Sequence, residues 1–107
     1  MRVCVVGAGH GGTAFAADLT RRGHEVTLLK SSSTLHSDHF DHLMGSKTLT
    51  ISEDGASNDV ELASVTTDFS DAVPNADVVV VFVQTNYQAN VVARLAPYLN
   101  HSQLVLF

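Results

Sequence analysis

The stretch Val78–Val83, VVVVFV, is apolar at every position. A strand with one wet face alternates apolar and polar residues, so a run apolar on both sides needs cover on both faces. So short a run, rich in β-branched residues, suits a strand inside a parallel sheet better than a buried helix. Parallel neighbours cannot be joined by tight turns. They need crossover connections, usually helical. This one segment therefore asks the rest of the chain for strands alternating with helices.

The rest of the chain supplies them. Val3–Val6 is a short apolar run that stops at Gly7. From about Gly11 to Arg22 the spacing of Ala14, Phe15, Ala16, Ala17 and Leu19 predicts a helix, with Arg21 and Arg22 in its last turn and Gly23 as its stop. Glu25–Leu29, EVTLL, reads as a second strand. The segment Ser31–Gly45 predicts a short amphipathic helix beginning near Ser33. Lys47–Ser52 and Val60–Val65 alternate on either side of Asp54-Gly55, which predicts a β-hairpin insertion near 47–64. Its second arm runs toward a third sheet strand near Ala63–Thr66. Thr67 or Asp68 can cap a short helix through Val73 that Pro74 stops. Thr85-Asn86 offers the cap of a helix to about Leu95, which Pro97 ends, and Leu104–Phe107 opens a fifth strand. The expected fold is a doubly wound, mainly parallel α/β sheet with strand order 3-2-1-4-5, ending after the fifth strand.

The chain has 107 residues, 45% of them hydrophobic and 16% charged, which suits one folded domain over 1–107. Its formal net charge of −5 argues against a sequence-independent grip on nucleic acid. Cys4 is the one cysteine, so no internal disulfide can form, and its apolar neighbours read it as a small buried hydrophobe. Neither a signal peptide nor a membrane span is expected, because the apolar runs are too short for either. The expectation is a soluble cytoplasmic domain without a membrane partner.

Gly7, Gly9 and Gly12 spell G-x-G-x-x-G, with Gly11 as an additional glycine. The motif is common by chance. It gains meaning when it follows a strand, opens a helix and lies inside a βαβ unit of about 30 residues, as it does here. Gly7 then takes the tight turn, Gly9 admits a pyrophosphate to the backbone, and Gly12 lets the helix lie close to the strands. The free N–H groups at the helix start favour anions. His10, inside the loop, can hydrogen-bond a phosphate or point to solvent.

The residue ending the second strand selects the cofactor. An Asp or Glu about 20 residues beyond the glycines would bind ribose hydroxyls and repel a 2′-phosphate. Here that place holds Lys30, followed by Ser31 and Ser32. A lysine with hydroxyl donors suits the 2′-phosphate of NADP, and NAD is the alternative. Gln84, Thr85 and Asn86 follow the central strand, at the switch point where such sheets bind ligands, and can border the ribose or nicotinamide. His36, His39 and His42 recur at every third position. Their first and third members would stand about 120° apart on a helix. No metal site is assigned to them, and no catalytic acid or base is assigned anywhere in the chain.

VCVVGAGHGGTAFAADLTRRGHEVTLL, followed by VTTDFSDAVPNADVVVVFVQTNYQ, resembles the N-terminal NAD(P)-binding domain of the octopine/nopaline (opine) dehydrogenases. Ketopantoate reductases, glycerol-3-phosphate dehydrogenases and 6-phosphogluconate dehydrogenases are its wider relatives. The resemblance implies a Rossmann-type fold. It also implies hydride transfer between NADPH and an imine or oxo acid, with Gly7, Gly9, Gly12 and the Lys30–Ser31 region at cofactor-binding positions. Family members carry their catalytic histidine in a C-terminal helical domain, which the resemblance leaves outside these residues. That missing domain, or a second copy, is the partner expected on the exposed sheet edge. A stand-alone dinucleotide-sensing module, a cofactor domain like that of ketopantoate reductases or glycerol-3-phosphate dehydrogenases, or a domain for another adenine nucleotide such as FAD or AMP, is the alternative.

Overall fold

The computed structural model describes residues 1–7, 10–30, 47–53, 56–83 and 85–107. Its strands are β1 (Arg2–Val6), β2 (Glu25–Leu29), β3 (Thr48–Glu53), β4 (Ala56–Glu61), β5 (Ser64–Thr66), β6 (Val78–Val81) and β7 (Leu104–Leu106). Its helices are α1 (His10–Arg21), α2 (Phe69–Ala72) and α3 (Thr85–Leu95), the last extended by a 3₁₀ turn at Ala96–Tyr98. Five strands form one sheet in the order β5-β2-β1-β6-β7, and every pair in it is parallel. This is the expected doubly wound arrangement. β6, the apolar run, lies between β1 and β7 as its covered faces require.

Two apolar layers hold the sheet. On one face Val3, Val5, Val26, Leu28, Val65 and Val80 pack against Ala16 and Ala17 of α1 and against Leu62. On the other, Cys4, Val6, Leu29, Val79 and Val81 meet Phe69, Ala72 and Val73 around α2 and Val91 and Leu95 of α3. Right-handed crossovers dictate this division: β1 to β2 carries its helix on one face, and the two crossovers leading to β6 and β7 carry theirs on the other.

Local chemistry sets the element ends. Gly23 adopts φ +98. Its N–H donates to the Thr20 carbonyl at 3.0 Å and the His24 N–H to that of Leu19 at 3.2 Å, the paired bonds of a glycine-terminated helix. Asp68 caps α2 by accepting from the Ser70 N–H at 2.9 Å. β3 and β4 pair antiparallel from Thr48↔Glu61 to Glu53↔Ala56, the expected hairpin. Its second arm stops at Glu61 and the sheet strand restarts at Ser64, because the Ala63 N–H turns to donate to the Val26 carbonyl at 3.1 Å. β6 ends at Val81, two residues short of the apolar run, and α3 begins at Thr85 itself. The helix expected near Ser33, the three histidines and Asp54-Gly55 lie outside the described residues.

Among the described residues no helix is long and apolar enough to cross a membrane. None of them form a group of three His, Cys, Asp or Glu side chains that could hold a metal ion.

Candidate dinucleotide site at the carboxyl edge of the sheet

Gly7 follows β1 directly and adopts φ +119, a conformation that L side chains rarely take. Its N–H donates to the Leu29 carbonyl at 2.8 Å, tying the turn to the end of β2. A β-carbon on Gly7 would collide with the Phe82 carbonyl oxygen just past β6, so the chain passes over the edge of the sheet with no room for a side chain. Gly12, on α1, is as tightly placed: a β-carbon there would collide with the Gly7 carbonyl oxygen. The two glycines therefore do what the motif asks of them. One makes the turn, and the other lets the helix start close against it. Gly11 differs. A β-carbon there would stand 3.5 Å from the Phe82 ring, ordinary contact, and the position is exposed.

Lys30 comes one residue after the Leu29 carbonyl that Gly7 engages. Its own N–H donates to the Thr66 carbonyl at the end of β5, at 3.0 Å. The glycine turn and Lys30 thus share the carboxyl edge of adjacent strands, the edge where open α/β sheets bind ligands. Lys30 is only 7% exposed, so this strand-end lysine is folded in. Buried lysines need polar partners or pay a desolvation cost, and this one is not without a partner.

The other expected site residues are placed only in part. His10, Thr85 and Asn86 begin α1 and α3 at this same edge, but their side chains lie outside the described residues, as do Gly9, Ser31, Ser32 and Gln84 altogether. Phe82 was not expected at the site. Its signal was a bulky ring ending a run of valines, opposite the glycines. Its N–H donates to the Val6 carbonyl at 2.7 Å, and its ring lies 5.0 Å from that of Phe15, tilted by 41°. A cavity of about 360 Å³, lined by Arg2, Glu25, Ser64, Asp71 and Asn75 among others, opens at the opposite, amino-terminal edge and is unrelated to the turn.

Glycine cradles that a β-carbon would fill, at a strand-to-helix turn on the carboxyl edge of a doubly wound sheet, define a dinucleotide-binding domain of the Rossmann type. The comparisons narrow the class. The sequence profile of the ketopantoate reductase PanE/ApbA family matches residues 3–107, and the chain belongs to that family. No curated protein matches it. Among solved structures, a PanE/ApbA family ketopantoate reductase from Ralstonia eutropha JMP134 is 29% identical with a TM-score of 0.82, over 100% of this chain and 33% of its own. Octopine dehydrogenase in complex with NADH and agmatine is 26% identical with a TM-score of 0.79, over 98% of this chain and 27% of its own. The same enzyme with NADH and L-arginine gives 27% identity and a TM-score of 0.78, again over 98% and 27%. The chain spans about a third or less of the length of these structures. The superfamily expected from the sequence is therefore the one found. Within it the family is that of the ketopantoate reductases, with octopine dehydrogenase similarly close in structure.

Proposed function

We propose that this chain is the cofactor-binding part of an NADP(H)-dependent dehydrogenase that reduces a 2-oxo acid or an imine derived from one. That substrate class is shared by ketopantoate reductase and opine dehydrogenase chemistry. The single observation that carries the reading is the placement of Lys30 beside the Gly7 turn, where an acidic residue would turn away a 2′-phosphate. In this reading Gly7, Gly9, His10, Gly11 and Gly12 hold the pyrophosphate against the start of α1. Lys30, Ser31 and Ser32 receive the 2′-phosphate, and Gln84, Thr85 and Asn86 border the nicotinamide ribose. When bound, the reduced nicotinamide supplies the hydride. The chain's own residues bind and orient it.

The acid or base that completes the reaction comes from a further domain or a second copy. The sheet leaves a place for one. Leu104 and Leu106 of the edge strand β7 are 56% and 45% exposed. Their register with Val78 and Val80 puts them on the α1 face of the sheet, beside Phe82. An apolar patch of this kind is the usual mark of a covered surface.

NAD(H) is the second reading. The octopine dehydrogenase structures hold NADH, and the burial of Lys30 reduces what it can offer a phosphate. Calorimetric titration with NADPH and NADH, on the chain and on Lys30→Asp, separates the two. The expected result is tighter NADPH binding that Lys30→Asp weakens by about tenfold or more, the loss of a charge-assisted contact. Tighter NADH binding by the unsubstituted chain would overturn the NADP reading. The chain alone is expected to transfer no hydride to small 2-oxo acids, and measurable turnover would overturn the division of labour.

A further inference from the structure

We propose that Phe82 is a positioning residue for the cofactor pyrophosphate, acting through the first turn of α1. The inference rests on the dinucleotide-binding reading of the glycine turn. The first N–H groups of a helix have no partners within it, so what they bind depends on where the first turn sits. In α1 that turn contains Gly11 and Gly12, which have no side chains to anchor it, and it carries no acidic residue that would repel an anion.

On the β6 side, what the turn leans on is Phe82. The Phe82 carbonyl closes the space beside Gly7. Its β-carbon lies 3.5 Å from the place where a Gly12 β-carbon would stand, and its ring edge lies 3.5 Å from the equivalent point on Gly11. One turn on, the same ring meets Phe15. Phe82 thus borders the strand-to-helix turn and packs on Phe15 of α1 while its own N–H is fixed to β1. Removing the ring takes away the surface on which Phe15 of α1 packs, and with two glycines, the residues with the widest backbone freedom, in its first turn, the start of α1 is then held less firmly. Phe82 is 40% exposed, so its replacement removes little core and the effect on binding can be separated from an effect on folding.

The test titrates the chain and its Phe82→Leu and Phe82→Tyr variants with NADPH and with adenosine 2′-phosphate, which carries no pyrophosphate, and records the melting temperature of each. Phe82→Met is a second ring-removing variant should leucine impair folding. Removing the ring is expected to weaken NADPH about tenfold, comparable to losing one charge-assisted hydrogen bond, and to leave adenosine 2′-phosphate unchanged. Phe82→Tyr, which keeps the ring, is expected to retain NADPH binding. An equal loss for both ligands, or no loss of NADPH binding, overturns the inference alone. If the unsubstituted chain does not bind NADPH, the reading of the turn fails and the inference falls with it.

Discussion

The Phe82 carbonyl oxygen occupies the place where a β-carbon on Gly7 would stand, and Gly7 holds φ +119 while it does so. Two independent costs therefore meet at Gly7→Ala: a backbone conformation disfavoured for L residues and a collision with main chain that cannot swing aside. Each is worth about 1–3 kcal/mol. The expected outcome is a melting temperature lower by roughly 8 °C or more, taking about 4 °C per kcal/mol for a domain of this size.

Gly11→Ala is the contrasting case. A β-carbon there meets only the Phe82 ring, at 3.5 Å, and φ at this position is not positive. Alanine is about 1 kcal/mol better than glycine within a helix. Thermal melting is expected to show Gly11→Ala equal to or above the unsubstituted chain, with Gly12→Ala far below it because its β-carbon would strike the Gly7 carbonyl. Comparable losses at positions 11 and 12 would contradict this geometry.

The difference between these glycines also marks what could be read from the sequence. Strand, glycine turn, helix and strand follow from periodicity and from Gly23, which are local signals, and so does the buried place of β6. The strand order follows from handed crossovers. What was not legible depends on contacts between distant segments. G-x-G-x-x-G does not say that Phe82 fills the space beside Gly7 and Gly12. Nor does a lysine at a strand end announce that it will be 7% exposed, because β5 arrives beside it from more than thirty residues away. The break between β4 and β5 did leave a local trace: Val60 and Leu62 are apolar on one parity and Val65 on the other, so the alternation slips at Ala63–Ser64, where the Ala63 N–H turns to the Val26 carbonyl.

Cys4 is fully buried, and its burial pushes the thiol pKa from 9.0 up to about 12. Only the thiolate is nucleophilic. Iodoacetamide at pH 8 is expected to leave Cys4 unmodified in the folded chain and to alkylate it in denaturant, as mass spectrometry would read. Because the folded-state pKa is raised, this group does not alter stability below the unfolded value. Stability falls as pH rises from about 9 toward 12, where the unfolded chain can release a proton that the folded chain retains. Denaturation midpoints that stayed constant through that window would contradict the assignment.

Asp68 gives the opposite sign. Hydrogen bonds from the Ser70 hydroxyl and N–H, at 2.6 and 2.9 Å, hold its carboxyl below the usual range. The cap is present above the ordinary carboxylate pKa and is lost as pH falls through the lower folded value. Asp68→Ala is expected to lower the melting temperature at neutral pH by less than Gly7→Ala does, and to have little further effect in acid, where the unsubstituted cap has gone.

Gln103 ties the edge strand to the body of the domain. Its side-chain amide donates to the carbonyls of Val73 and Ala76, at 2.6 and 2.9 Å, where the chain returns from α2 to β6. The side-chain oxygen accepts from the Asn100 N–H at 3.0 Å, so one residue closes the last crossover against the previous one. Replacing it with alanine removes this donor from both carbonyls; the Val73 carbonyl keeps the Ala76 N–H at 3.2 Å, and the Ala76 carbonyl loses its Gln103 donor at a cost of about 1–3 kcal/mol where water cannot substitute. Water reaches part of the site, so the expected loss is about 2 kcal/mol, accompanied by faster hydrogen exchange at the amides of β7. Because β7 is an edge strand that, among the described residues, pairs only with β6, exchange at β1 and β2 should follow global unfolding alone. A uniform rise across all five sheet strands, with no excess at β7, would show that Gln103 stabilises the whole domain and does not specifically fasten this edge.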